Sequence, residues 1–468
     1  PRAMDRYEQE KGQYEAAKLP VFLPKDLHVD IVFLALNHAE SYGRLRLMRL
    51  DERPSPRDVV LYQTLPNEMP RVAGVITSVR QTPLSHVNLR AIQDKVPNAF
   101  VADAADNKEI TGLIGKYVYY KVDADGYEIR EATGGEVDAH FAELRPKERQ
   151  VPPRDLSVKT IRPLDDIGFK DSSNVGVKAA NLATMRGFRF PAGTIPDGFG
   201  VPFHFYDAFM KHNGFYRKVS AMRAVPDFQK DTDASEKALV KISKKMVKGK
   251  MPDWMAEALG KMQKAFPQGT HIRCRSSTNN EDLPGFSGAG LYGSFTHVPG
   301  GHIGKTIRLV YASLWNFRAY EEREFYRIDH LASAMGVLVH PNYANEKANG
   351  VAVADDIVYQ TGRNFYVNTQ VGEDMITNPE AQSIPEEVIL HPSETGQDRI
   401  VRYSNRVEGE KQILTPAQRN ELATRLGTIQ RKFCELYGRS PRAFAMEIEF
   451  KITAEGKLAI KQARPWVY

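Results

Sequence analysis

Three stretches of the chain alternate between apolar and polar positions strongly enough to predict local structure. In the first third, Asp58–Leu65 (DVVLYQTL) and Val72–Thr77 (VAGVIT) are β-branched runs separated by Pro66–Pro70, which predicts two strands. Pro83-Leu84-Ser85-His86 follows and leads into Val87-Asn88-Leu89-Arg90-Ala91-Ile92, a turn entering a helix with His86 at the junction. In the middle, His271–Phe295 (HIRCRSSTNNEDLPGFSGAGLYGSF) begins as an alternating strand, reaches Arg275, and breaks into Ser276, Ser277, Thr278 and a Gly-rich run. Near the end, Phe444–Ile452 and Lys457–Gln462 are strand-like and flank Thr453–Gly456, which predicts a hairpin.

Other segments set the organisation. Asp5–Lys18 is charged and reads as a helix. Leu144–Leu156 (LRPKERQVPPRDL), rich in Pro and charge, predicts an interdomain tether. Lys237–Lys250 (KALVKISKKMVKGK) predicts an amphipathic helix with a solvated basic face. It lacks the stacking aromatics that nucleic-acid binding would need, so no nucleic-acid partner is expected. Gly300–Thr306 nearly spells a P-loop, but its first glycine falls on Pro299. Asp123-Ala124-Asp125-Gly126 lacks the later ligands of a calcium loop and reads as a hairpin turn.

Composition changes this picture little. The 468 residues, 42% hydrophobic and 26% charged, suit a globular protein of several domains, and a net charge of +6 is modest for that length. Cys274 and Cys434 provide neither a disulfide framework nor a thiolate cluster, so a cytoplasmic setting is expected. No apolar run approaches 18 residues, and no membrane association is expected.

The candidate chemistry lies in the three patterned stretches. Arg275, at the end of a strand before small hydroxyl residues and glycines, suits a polyphosphate, which a guanidinium fork binds in a bidentate way. A Ser/Gly surface loop is the alternative. Glu447 and Glu449 are two residues apart and share a strand face, as do Gln462 and Arg464 on the next strand. Paired carboxylates beside an amide and a guanidinium suit a Mg2+–nucleotide site, and a solvent-facing polar stripe is the alternative. His86, at a helix N-terminus whose amides stabilise an added phosphate, suits a phosphocarrier, and capping or packing is the alternative.

In this order, the segments resemble the pyruvate phosphate dikinase and phosphoenolpyruvate synthase superfamily. A further landmark, Val175–Met185 (VGVKAANLATM), is similar to the family's G-x-K-x-x-N-L helix start, and Pro196–Pro202 (PDGFGVP) to the strand after it. Val72–Phe100 resembles the superfamily's swivelling phosphohistidine domain. Its Leu84-Ser85-His86 form, and its position before the nucleotide segment, look most like the glucan water dikinases. Val310–His330 (VYASLWNFRAYEEREFYRIDH) is also similar to a glucan dikinase segment.

The resemblance implies an α/β and α+β multidomain protein, a swivelling β/α phosphohistidine domain followed by a two-lobed ATP-grasp domain. The expected divisions are an N-terminal helical segment at 1–25, the phosphohistidine domain at 26–148, a linker at 149–158 and the ATP-grasp domain at 159–468. A lobe switch is expected near 340. By the same resemblance His86 is the phosphocarrier, with Arg464 beside the reacting phosphates. Arg90, one turn after His86, would hold the phosphoryl group, or else is a helix-surface arginine. Lys178, Arg275, His340 and Gln462 are the nucleotide contacts, and Glu447 and Glu449 are the Mg2+ ligands. His340 stands where relatives carry glutamine, and Gln370–Asp374 (QVGED) where many have Gly-Leu-Gly-Glu.

The implied activity is that of a dikinase-type phosphotransferase using ATP and Mg2+. It would phosphorylate its own histidine, release AMP and phosphate, and pass the phosphoryl group to an acceptor such as a glucan or a small metabolite. The acceptor would be recognised by a region N-terminal to this chain, which starts at Pro1-Arg2-Ala3-Met4. A non-catalytic ATP-binding regulatory or sensor protein on the same fold is the alternative.

Overall fold

The computed structural model describes residue 16 and residues 32–466, apart from 50–51, 53, 67–68, 70, 80–85, 231, 282, 284–285, 287, 289–290, 358–363, 374–384, 393–396 and 410. The fold is mixed α/β, and the chain divides into two compact units, Pro1–Phe141 and Ala142–Tyr468. The expected helix at Asp5–Lys18 lies outside the described residues but for Ala16.

The first unit is built on a seven-stranded mixed sheet. Its strands are β1 (Phe33–Asn37), β2 (Ala39–Met48), β3 (Asp58–Tyr62), β4 (Gly74–Thr77), β5 (Asn98–Val101), β6 (Tyr117–Val122) and β7 (Tyr127–Glu131), in spatial order β1-β5-β4-β3-β2-β6-β7. The β-branched runs expected as strands are β3 and β4, wholly buried and paired in parallel at the centre of the sheet, where both faces must be covered. The helix His86–Asp94 connects β4 to the parallel β5. Val87 and Ala91 bury its inner face, and Asn98 Nδ2 donates to Asn88 Oδ1 at 2.9 Å, tying the helix to β5. The helix therefore starts beyond the carboxyl ends of the parallel strands, where open α/β sheets bind ligands. The turn at Asp123–Gly126 joins β6 to β7.

The second unit holds two antiparallel sheets. One contains β8 (Arg162–Pro163), β9 (Phe199–Val201), β10 (Ile272–Thr278), β11 (Phe295–His297) and β12 (Met335–Pro341), ordered β11-β10-β12-β9-β8. The other contains β13 (Ala348–Val353), β14 (Phe365–Val371), β15 (Glu386–Leu390), β16 (Arg399–Arg402), β17 (Met446–Ile452) and β18 (Leu458–Pro465), ordered β16-β15-β14-β13-β17-β18. The chain crosses from one sheet to the other between Pro341 and Ala348.

Each sheet buries one apolar face. Ile272, Cys274, Val337 and Val339 pack with the aromatic cluster of Phe203, Phe209, Tyr311 and Trp315. Ile448, Phe450 and Ile460 pack with Leu422, Leu426, Ile429 and Phe433 of the helix Pro416–Tyr437. That helix is well delimited: Thr415 and Gln418 form a capping box, Pro416 occupies the first turn, and Gly438 ends it at φ 62°. Strand alternation leaves the opposite faces polar, and the site is built from them.

The helix Val177–Arg186 packs against both β10 and β18. Gly176, at φ 87°, makes this possible, since a Cβ there would lie 2.2 Å from the Ser277 carbonyl oxygen. Ser277 Oγ in turn accepts from Ala179 N at 3.0 Å.

The segment expected as a linker, 149–158, is bonded, together with Arg145, to residues of the second unit. Arg145 donates to the Phe325 and Glu324 carbonyls, and Arg149 pairs with Asp329 at 2.6 Å. Gln150 N donates to Arg327 O at 3.0 Å and Gln150 O accepts from Asp329 N at 2.8 Å. The Pro153 carbonyl accepts from Asn279 Nδ2, and Arg154 donates to Leu331 O. Sequence composition gave no sign of these bonds because they are made to residues more than a hundred positions away. The near P-loop is ordinary helix entry: Gly304 opens the helix Gly304–Ser313, and His302 Nδ1 accepts from its amide. Among the described residues, no helix is long and apolar enough to cross a membrane.

Candidate functional site

The C-terminal hairpin forms with Glu447 opposite Arg464 and Glu449 opposite Gln462. Arg464 donates to Glu447 Oε1 through Nε and Nη2 at 3.0 and 2.6 Å. On β10, Arg275 points away from the apolar cluster and reaches the other sheet. Its Nη2 lies 2.9 Å from Glu449 Oε2 and 2.5 Å from Gln462 Oε1, so one guanidinium ties the two sheets together. Lys178, in the first turn of the helix that packs on both sheets, donates to Glu281 Oε1 at 2.9 Å. Glu281 also accepts from Thr278 Oγ1, which fixes the start of the loop after β10.

Lys178, Arg275, Glu447, Glu449, Gln462 and Arg464 are therefore brought together. His340 lies opposite Arg273 on the neighbouring strand β12 and is almost completely buried. Its Nδ1 is 2.8 Å from the Pro341 carbonyl, which can only accept, so Nδ1 carries the proton and Nε2 is left as an acceptor. That Nε2 is buried with no hydrogen-bond partner.

His86 and Arg90 belong to the first unit. The helix begins at His86, but residues 80–85 and the His86 side chain lie outside the described residues. Arg90 pairs with Asp94 at 2.8 Å along its own helix. Asp374 of the QVGED stretch is also outside them, while Gln370 Oε1 accepts from Val371 N and Ser404 Oγ.

Sequence reasoning missed five charged residues of this cluster. Lys461 Nζ is 3.1 Å from Glu449 Oε2, Lys451 pairs with Glu346, Arg273 donates to Thr296 Oγ1, and Glu281 holds Lys178. Alternation could have found Lys451, which continues the face of Glu447 and Glu449. It could not have found Lys461, whose position comes from a β-bulge: the register slips between Glu449 and Phe450, which pair with Gln462 and Ile460. The extra residue lets adjacent side chains, Lys461 and Gln462, both approach the Glu449–Arg275 contact.

Burial sets the electrostatics. Desolvation works against ionisation of Glu449, but Arg275, Lys461 and Arg464 outweigh it and hold its carboxyl well below the usual range. For Glu447 burial prevails over Arg464 and the carboxyl is raised. Burial, then Lys461 and Arg273, push the Lys451 ammonium down to about 7. Burial and Arg275 push the His340 imidazole down to about 3, so the ring is neutral. Within this cluster, the six basic side chains Lys178, Arg273, Arg275, Lys451, Lys461 and Arg464, of which Lys451 is only partly charged near neutral pH, outnumber the four carboxylates of Glu281, Glu346, Glu447 and Glu449.

That imbalance suits a dianion, which is what the magnesium complex of ATP is. The donor set fits magnesium as well. Among the described residues no three His, Cys, Asp or Glu side chains converge as a closed metal cage. Mg2+ bound to a nucleotide uses one or two carboxylates and completes its shell with phosphate oxygens and water. Glu447 and Glu449 are in place to supply those carboxylates.

Residues 172–467 match the family described as the pyruvate phosphate dikinase AMP/ATP-binding domain. A probable phosphoenolpyruvate synthase from Methanocaldococcus jannaschii is 27% identical over 332 residues, covering 66% of this chain and 27% of that protein. A phosphoenolpyruvate synthase from Pseudomonas aeruginosa is 26% identical over 341 residues, covering 66% of this chain and 42% of its own length. The chain thus spans less than half the length of these relatives. The solved D-alanyl-alanine synthetase A of Vibrio cholerae matches 44% of this chain and 45% of its own with a TM-score of 0.21 at 13% identity, too slight a likeness to bear on the fold.

Proposed function

The chain belongs to the pyruvate phosphate dikinase AMP/ATP-binding family, and on that premise we propose that it is a dikinase-type phosphotransferase. His86 takes one phosphoryl group from ATP and water takes the terminal one, so that AMP and phosphate are released, and His86 passes its phosphoryl group to an acceptor, a glucan or a small metabolite. The observation that carries this reading is the buried cluster around Arg275, which joins two carboxylates, an amide and an excess of cations between two sheets.

In this reading the first unit is the swivelling carrier, with His86 at a helix N-terminus whose amides stabilise the added phosphate. Glu447 and Glu449 would hold the magnesium ion, which would supply positive charge against the phosphates. Lys178, Arg275 and Arg464 hold the phosphates, and Gln462 orients Arg275 by accepting from its Nη2. Phosphoryl transfer asks little covalent chemistry of the protein, so positioning and fixed positive charge supply most of the catalysis. His340, neutral and with a free Nε2 acceptor, sits at the sheet crossover as a base contact.

Intact mass after incubation with ATP and Mg2+ tests the proposal. One acid-labile phosphate should appear on the protein and be absent from His86→Ala. Labelling that persists in that variant refutes the carrier assignment.

A further inference from the structure

Toward the crossover between the two sheets, the cleft holds three cations with no role in the reading above: Arg273, Lys451 and Lys461. Lys451 follows Glu449 by two residues on one strand, and Arg273 precedes Arg275 by two on another. Each is therefore about 7 Å nearer the crossover than its partner in the Arg275–Glu449 contact. The bulge on β18 brings Lys461 onto Glu449, a carboxylate already shared with Arg275. These are not solvated surface lysines: the Lys451 and Lys461 side chains are only 16% and 21% exposed. Lys451 rests on Glu346, whose side chain is 1% exposed. The same corner holds the unpartnered His340 Nε2. With Glu346 committed to Lys451 and Glu449 divided between two cations, positive charge is in excess there, and an anion relieves the repulsion.

We propose that Lys461, Arg273 and Lys451 form a second anion subsite at the crossover end of the cleft, which holds the phosphate attached directly to the nucleoside. The inference rests on the reading of the cleft as a nucleotide site. A two-residue strand step is about 7 Å, roughly the span of a triphosphate chain. With the distal phosphates held toward Glu447, Arg464 and Lys178, the nucleoside-linked phosphate would fall at Arg273 and Lys461, on the crossover side of Glu449. The base then lies beyond, beside His340. A nucleoside monophosphate is accordingly bound through its own phosphate, without magnesium.

Calorimetry on the full chain with adenosine, AMP and Mg·ATP tests this. AMP should bind at least about tenfold more tightly than adenosine, the gain expected of a charge-assisted contact, and the gain should shrink with salt. Lys461→Met and Arg273→Met should each remove most of that gain and leave adenosine binding unchanged. Lys461→Arg, which keeps the charge, should retain it. AMP binding no tighter than adenosine to the unaltered protein overturns the subsite, as does a Lys461→Met variant with unchanged AMP affinity. If Mg·ATP still binds in those cases, the nucleotide reading stands without the subsite. If the unaltered protein binds no Mg·ATP, both fall.

Discussion

Replacing Arg275 by Met should loosen the second unit measurably, because this guanidinium makes an ion-pair tie between its two sheets. Its side chain is 9% exposed, and Met fills much of the same volume without the charge. Removing one partner of a buried pair costs about 3–5 kcal/mol when the other charge is left uncompensated. Glu449 is not wholly uncompensated, since Lys461 remains 3.1 Å away and the carboxylate side chain is 21% exposed. The expected loss is therefore about 2–3 kcal/mol. Glu449→Gln removes the carboxylate from the same contact, so a double variant should lose less than the sum of the two single losses, by about 1–2 kcal/mol. All three tryptophans, Trp254, Trp315 and Trp466, lie in the second unit, so their fluorescence during urea unfolding reports on it alone. Losses that add to within about 0.5 kcal/mol would show that Arg275 and Glu449 are not energetically coupled, and the tie would then have no mechanical meaning.

Further outcomes follow from the same contacts. Glu447→Gln together with Glu449→Gln should abolish the magnesium dependence of ATP affinity, and unchanged Mg·ATP binding by calorimetry would remove both from the metal site. His86→Ala should bind Mg·ATP normally yet form no AMP, which chromatography of the nucleotide products would detect. Stability should respond to pH through two buried groups of opposite sign. Burial lowers the His330 imidazole from 6.5 to about 4, so the unfolded chain takes up its proton first and stability is lost as pH falls through that window, by about 3 kcal/mol. Burial raises the Glu387 carboxyl from 4.5 to about 7, so its contribution is present at low pH and lost as pH rises. Urea unfolding at pH 4.5 and 7 should therefore shift in opposite directions for His330→Asn and Glu387→Gln, and equal shifts would contradict the assignment.

What the sequence made legible was whatever repeats with the period of its own secondary structure. Two-residue alternation placed Glu447 with Glu449 and Gln462 with Arg464, and β-branched runs bounded by prolines marked β3 and β4. The partners across the fold were not legible in that way. Lys178 and Glu281 are 103 residues apart, and Arg275 and Glu449 are 174 apart, so no local pattern joins them. Lys461 was hidden for a different reason: a one-residue bulge broke the alternation that would have assigned it to the apolar face with Ala463. Composition reports what the 149–158 segment could do if free, and the hydrogen bonds it makes with Tyr326, Arg327, Asp329 and Asn279 were not legible in it.

The contacts that define the cleft are also the ones its proposed ligand must break. To hold magnesium, Glu447 would have to release Arg464, and Glu449 would have to release Arg275 and Lys461. A metal ion arriving alone would leave three part-buried cations without partners, and a nucleotide arriving alone would bring phosphate against two carboxylates. Both are electrostatically costly in a site this poorly solvated. Were they to arrive together, Glu447 and Glu449 would turn to the metal, and Arg464, Arg275 and Lys461 would turn to the phosphates. In the proposed function the ion pairs seen here would keep the cations aligned for phosphate, so that little reorganisation would be left for the moment of transfer. On this argument the two ligands would bind with positive coupling, and the coupling would reside in the three pairs Arg275–Glu449, Lys461–Glu449 and Arg464–Glu447.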